Sequence, residues 1–198
     1  MIFKDWNNLP EFMKCDEVRV YYEILKKRKL SLYIKRVFDV VVALMLIIVL
    51  AIPMLIVAIM IKKDSKGPVF YRQERVTAYG KKFKIHKFRT MVSNAEKIGP
   101  TVTMVEDSRI TQVGAKLRRF RIDEFPQIFD VLLGNMSFVG TRPEAVKYVS
   151  QYTNEMIATL LLPAGITSEA SIKYKNEAVL LNKADNIDEV YMEDILPE

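Results

Sequence analysis

One cysteine, Cys15, and one histidine, His86, stand in a chain of 198 residues. A single thiol excludes an intrachain disulfide and gives no sign of an oxidising compartment, so the polar part of the chain is expected in the cytosol. A single imidazole excludes a multi-histidine metal centre, and on a strand of alternating polarity His86 reads as structural. The sequence has no internal repeat and no low-complexity stretch. Only one apolar run is long enough for lipid, which sets aside a polytopic membrane protein. A cleavable signal peptide is not expected, because the run begins at Val37, is too long for a signal core and lacks a small-residue cleavage site behind it.

What is present is segregated charge. Half the residues are hydrophobic although 27% are charged. The net charge of +6 and the pI near 9.3 favour an anionic partner. Beside the apolar run, lipid headgroups or a phosphorylated substrate fit better than nucleic acid. The run itself, Val37 to Ile61, is broken in character only by Asp39 and Pro53, and is flanked by Lys35-Arg36 and Lys62-Lys63. As a helix it would reach roughly 37 Å, enough for a hydrocarbon core of about 30 Å. Pro53 frees a backbone carbonyl, and basic pairs at both ends are the pattern of a cytoplasmic flank. A re-entrant helix over 37–62, kinked at Pro53 and returning to the same face, satisfies both.

The pattern divides the chain into an N-terminal segment over 1–36, this membrane element, and a catalytic domain over 63–198. Asp16 to Arg36 reads as an amphipathic interfacial helix, with Val18, Tyr21, Tyr22, Leu25 and Leu32 on one side and Lys26-Lys27-Arg28-Lys29 on another. Residues 1–15, with the lone Trp6, read as loosely ordered or touching lipid. Val69 to Gln73 and Phe83 to Met91 read as strands joined by a turn at Tyr79-Gly80-Lys81-Lys82. Short helices are expected over 93–99 and 113–120. The clearest helical pattern is Phe125, Ile128, Phe129, Leu132, stopping at Gly134. The fold class expected is α/β, mostly helical with a small hairpin or sheet.

Asp123-Glu124-Phe125-Pro126 opens that last helix. Proline belongs in a first turn, which places Asp123 at or near the N-cap, where backbone N–H groups and the macrodipole favour a carboxylate. Such a residue suits nucleophilic or metal-binding chemistry; a plain cap is the other reading. Arg118, Arg119 and Arg121 precede the pair, and Gly140-Thr141-Arg142-Pro143 follows on a turn. Acids among arginines suggest an anionic substrate bridged by a divalent cation, since arginine suits bidentate phosphate recognition.

Six motifs carry a specific likeness. They are Lys35-Arg36-Val37-Phe38-Asp39; Gly67 to Arg75; Lys87-Phe88-Arg89-Thr90-Met91; Leu117-Arg118-Arg119 through Ile122-Asp123-Glu124-Phe125-Pro126-Gln127; Gly134 to Pro143; and Pro163-Ala164-Gly165-Ile166-Thr167. In this order, over about residues 30 to 175, the chain resembles the bacterial sugar transferases, the monotopic phosphoglycosyl transferases. The resemblance implies transfer of a sugar 1-phosphate from a nucleoside diphosphate sugar, with UDP the expected carrier, to polyprenyl (undecaprenyl) phosphate. Nucleoside monophosphate is released, and a surface glycan such as capsule or lipopolysaccharide is begun at the cytosolic face of the bacterial inner membrane.

By the same resemblance Asp123 is the nucleophile, forming an aspartyl phosphosugar, and Glu124 assists it. Both would hold Mg²⁺. Lys87, Arg118 and Arg142 would contact phosphate, with Arg75 and Arg89 as further candidates. Membrane lipids are expected partners and nucleic acid is not; a homo-oligomer is compatible with the sequence.

The chain departs from the family pattern in places. Ile52 stands where a serine often precedes the membrane proline, Thr141 replaces a proline, and Phe125 replaces a common leucine. Ser168 to Tyr174 lacks the usual glycine, which bears on sugar identity. Many members also continue beyond the point where this chain stops at Glu198, so a truncated chain is one expectation. The competing reading is a membrane-anchored scaffold that binds anionic lipid and uses the Asp-Glu pair only as a cap.

Overall fold

The computed structural model describes residues 3–95, 107–168 and 172. After two 3-10 turns, Trp6–Asn8 and Glu11–Met13, come α1 (Asp16–Lys26), α2 (Lys29–Asp64), β1 (Phe70–Val76), a 3-10 turn (Ala78–Gly80) and β2 (Lys82–Phe88). Then follow α3 (Gln112–Arg119), a 3-10 turn (Ile122–Glu124), α4 (Gln127–Leu133), β3 (Met136–Val139), α5 (Val146–Val149), α6 (Asn154–Ile157), a 3-10 turn (Ala158–Leu161) and β4 (Ala164–Thr167). The protein is mostly helical, with two small sheets, β1–β2 and β3–β4. The second sheet is parallel, with Met136 opposite Ala164 and Ser137 opposite Gly165.

The described residues fall into two compact units, and the division passes through α2, β1 and β2. One unit gathers residues up to Val49, Gln73–Ile85 and Gln127–Glu169. Its core joins Phe3, Leu9, Met13, Val18 and Tyr22 to Val76, Leu160 and Leu161. Tyr22 stacks on Phe3 and takes Trp6 edge-on, each with ring centroids 5.1 Å apart. The first residues are therefore core rather than loose chain. Val18 and Tyr22 spend the inner face of α1 on protein, whereas Val20, Tyr21 and Ile24 stay exposed.

Nor is 16–36 one helix. It breaks at Lys27-Arg28, and Leu32 belongs to α2.

α2 runs for 36 residues and contains Pro53 without interruption, although proline has no N–H to offer the carbonyl of Val49. It is long and apolar enough to cross a membrane, and only 6% of its apolar window is buried within the protein. Leu44, Ile48, Val49, Ile52, Leu55 and Ile56 among others face outward. Surface of that extent is consistent with membrane association.

Asp39, an acid within the apolar run, is buried. It accepts from Ser137 Oγ at 2.7 Å, from the Phe138 N–H at 3.5 Å and from Lys35 Nζ at 3.2 Å, and Lys35 also donates to Ser137. Arg36 donates to the carbonyls of Val131 and Leu132 at 2.7 and 3.0 Å, satisfying the C-terminal turn of α4. The basic and acidic residues at the start of the run thus bind the helix to α4 and β3.

The other unit comprises Leu50–Arg72 and, among the described residues, most of His86–Pro126. Here Arg89 is buried and caps the C-terminus of α2. Its guanidinium donates to Ser65 O at 2.7 Å, Lys66 O at 3.0 Å and Ile61 O at 3.5 Å. The expected helix over 93–99 and the departure over 168–174 lie largely outside the described residues.

Candidate active site

The site is built where α3 ends. Thr111 caps α3, accepting from the Gly114 N–H at 3.0 Å. At the other end Arg121 takes the left-handed conformation, φ +57°, and throws the chain into a tight turn. There the N–H groups of Glu124 and Phe125 reach the carbonyls of Arg121 and Ile122, an i→i+3 pattern. Asp123 sits in this 3-10 turn. It is not the N-cap of α4, which begins only at Gln127. Regular helical bonding starts only after Pro126.

Within this unit the turn brings four of the expected residues together. Lys87 Nζ donates to Glu124 Oε1 at 2.9 Å, and Arg121 Nη1 lies 3.7 Å from the same oxygen. Lys87 shares the strand parity of the buried Phe83 and Ile85, which draws its ammonium inward; its side chain is 26% exposed. Arg118 Nε donates to Thr90 Oγ1 at 2.9 Å. Burial pushes the Arg118 guanidinium down, against the opposing pull of the Asp123 and Asp107 carboxylates.

Burial likewise raises the Asp123 carboxyl above its ordinary value. Lys87 and Arg118 pull it down, while Glu124 adds to the rise. Asp123 Oδ1 is buried and has no hydrogen-bond partner among the described residues. A half-buried carboxylate of raised basicity, with one oxygen unspent and cations alongside, has the chemistry to serve as an oxygen nucleophile or as a cation ligand.

Two residues that the sequence did not single out support this cluster. Asp107 and Arg109 form a buried pair, with Arg109 Nε 2.8 Å and Nη2 2.5 Å from the carboxylate oxygens. The Arg109 side chain holds the Asp107 carboxyl down at about 2, and Arg118 adds to that effect. The Asp-x-Arg spacing of Asp107-Ser108-Arg109 was the available signal, but nothing in it distinguishes a buried fork from a solvated one.

The remaining candidates have other partners. Arg89 spends its guanidinium on α2. Arg72 Nη1 lies 2.6 Å from His86 Nε2, and Phe70 stands edge-on to the imidazole. Arg75 and Arg142 come together in the first unit around Glu144: Arg75 Nη1 is 3.8 Å and Arg142 Nε 3.5 Å from its two carboxylate oxygens.

Among the described residues no three His, Cys, Asp or Glu side chains gather as a metal cage. The adjacent Asp123 and Glu124 are a two-carboxylate donor set, and the unspent Oδ1 would fit a hard cation.

A family model described as bacterial sugar transferase matches residues 30–196. A Bacillus subtilis protein provisionally named an undecaprenyl-phosphate N-acetylgalactosaminyl 1-phosphate transferase is 43% identical over 136 residues, 68% of this chain and 75% of that protein. An Aeromonas hydrophila UDP-N-acetylgalactosamine-undecaprenyl-phosphate N-acetylgalactosaminephosphotransferase is 42% identical over 63% of this chain and 29% of its own length. A Klebsiella pneumoniae UDP-glucose:undecaprenyl-phosphate glucose-1-phosphate transferase is 36% identical over 79% of this chain and 34% of its own length. The chain therefore spans three quarters of the first relative and about a third of each of the other two. It belongs to the bacterial sugar transferase family, and is a transferase.

Proposed function

We propose that this protein transfers a sugar 1-phosphate from a UDP-linked sugar to undecaprenyl phosphate, releasing UMP, as the first membrane step of a surface glycan. The observation that carries the reading is the Asp123 carboxylate, half-buried, raised in basicity and with Oδ1 unspent, beside Lys87, Glu124 and Arg118. An Asp123 oxygen attacks the sugar-linked phosphorus, the bond to the UMP oxygen breaks, and an aspartyl phosphosugar remains. An oxygen of undecaprenyl phosphate then attacks the same phosphorus and the carboxylate leaves. Lys87 and Arg118 neutralise phosphate charge near Asp123, and Arg142 is assigned a donor phosphate on the strength of its motif.

Asp123 and Glu124 are the residues that would hold Mg²⁺, which supplies charge neutralisation of the diphosphate when bound. Glu124 is kept in place by Lys87 and orients the acidic pair. The relatives' names support the acceptor and the donor class; the particular sugar is left to experiment.

The reading also places α2 as a re-entrant element on the cytosolic face of the bacterial inner membrane. Its support is the basic pair at each end, Lys35-Arg36 and Lys62-Lys63, together with Pro53 between them. Cysteines introduced at Lys35 and Lys63 in a Cys15→Ser background are expected to react with an impermeant maleimide from the cytosolic side alone. Labelling from opposite sides would replace the re-entrant element with a span. For the reaction, purified protein with Mg²⁺ and undecaprenyl phosphate is expected to release UMP from at least one of a panel of UDP-sugars. No release from any of them would leave the scaffold reading in its place.

A further inference from the structure

Glu144 is a buried carboxylate that phosphoryl transfer at Asp123 leaves unused. We infer that it is a positioning residue, fixing the Arg142 guanidinium to bind the diphosphate of the nucleotide donor; this rests on the reading of Arg142 as a phosphate contact. The Glu144 side chain is 5% exposed and that of Arg142 is 38% exposed. The acid is thus the hidden member of the pair and the arginine the presented one.

The loop carrying them is held along its length. The Gly140 N–H donates to Thr167 O at 3.1 Å, the Gly165 N–H to Thr141 O at 2.7 Å, and the Val76 N–H to Glu144 O at 2.9 Å. On the far side of the carboxylate, Arg75 is anchored in turn. Its Nε and Nη2 donate to Gln73 Oε1 at 3.1 and 2.6 Å, and its Nη1 to Pro143 O at 3.2 Å.

Against this fixed background Glu144 makes a costly use of an acid. Its Oε2 is buried without a hydrogen-bond partner among the described residues, and its ion-pair distances are those of attraction rather than tight bonding. A carboxylate kept for stability alone would be expected to spend both oxygens, because an unsatisfied buried one costs more than the pair returns. An acid held at 3.5 Å from Arg142 Nε instead fixes where the guanidinium points. The two also line a small cleft with Thr77, Thr141 and Tyr152. The Tyr152 phenol is pushed up by burial and by the Glu144 charge, which keeps the lining neutral apart from the ion pairs.

The test is a double-mutant cycle on the full chain in detergent, with UDP as the probe and calorimetry as the readout. Glu144→Gln is expected to weaken UDP binding about tenfold in the native background and less than about twofold beside Arg142→Gln, since the coupling of contacting residues is lost with either partner. In turnover, Glu144→Gln is expected to raise the donor KM with kcat within about threefold and the acceptor KM unchanged. If Glu144→Gln does not fold by circular dichroism, Glu144→Asp, which keeps the charge but withdraws it, is held to the same criteria. Native UDP affinity in the variant, an equal loss in both backgrounds, or no UDP binding by the native protein would overturn the inference. Glu144-dependent UDP binding without any UMP release would support it while removing the proposed reaction.

Discussion

Asp123→Asn is expected to lower turnover by about 10³-fold or more and to remove the sugar-phosphate adduct from the mass spectrum of protein incubated with donor alone, because an amide cannot serve as the nucleophile. Glu124→Gln is expected to retain part of the activity. An adduct found on another residue would reassign the nucleophile. The same substitution is expected to stabilise the fold at neutral pH, by on the order of 1 kcal/mol.

The sign follows from burial. The Asp123 carboxyl is raised in the folded protein, so the folded chain binds its proton more tightly than the unfolded chain does. Between the ordinary carboxylate value and the raised one, stability falls as pH rises, and above both the full penalty stands. Asparagine carries no such penalty. Thermal unfolding across a pH series should show the variant melting above the native protein at neutral pH, with the gap closing as pH falls through the raised value and gone below the ordinary one. A variant that melts lower at neutral pH would mean that Lys87 and Arg118 outweigh the burial.

That pairing of lost activity with gained stability is what the sequence could not show. The motif order located Asp123, Glu124, Lys87 and Arg118, and the structure brings these four into one unit. Local pattern also gave α3 within a residue at either end, and the first hairpin, because hydrophobic periodicity and turn glycine are local properties. The N-cap expected at or near Asp123 was lost to the preceding turn: Arg121 in the left-handed region closes α3 just before it, and a 3-10 turn intervenes.

Non-local features were illegible for a common reason. β3 and β4 are four residues each and pair although α5, α6 and a 3-10 turn lie between them in sequence. Neither is long enough to declare itself by alternation. The burial of Phe3, Leu9 and Met13 depends on Leu160 and Leu161, far away in sequence. Glu144 was an ordinary charged residue, and Arg89 a candidate phosphate contact, until their partners were known. An arginine that caps a helix twenty-odd residues upstream and an acid that holds two arginines look alike in a string of letters.

Gly114→Ala opposes local propensity to tertiary packing, and the structure decides the sign. Gly114 lies inside α3, where replacing glycine by alanine ordinarily stabilises by about 1 kcal/mol. Here a methyl would collide with the carbonyl oxygen of Thr90 and close on that residue's carbonyl carbon and Cα at 2.7 and 2.8 Å. All three are backbone atoms, so no side chain can swing aside. Thr90 is also fixed, because its carbonyl accepts from the Thr111 N–H at 3.0 Å.

α3 must therefore back away, at a cost of about 1–3 kcal/mol from overpacking. Arg118 is one turn along from Gly114, on the face that meets Thr90, where its Nε donates to the Thr90 hydroxyl at 2.9 Å. Retreat of the helix breaks that bond and displaces a guanidinium next to Asp123. A shift of 1 Å in a positioning group is worth about 10²-fold in rate, so the alanine variant is expected both to melt lower and to lose turnover on that scale. Gly114→Ala with a higher melting temperature would show that propensity wins and that α3 is not seated on Thr90. A lower melting temperature with unchanged turnover would separate α3 packing from the chemistry and remove Arg118 from the phosphate contacts.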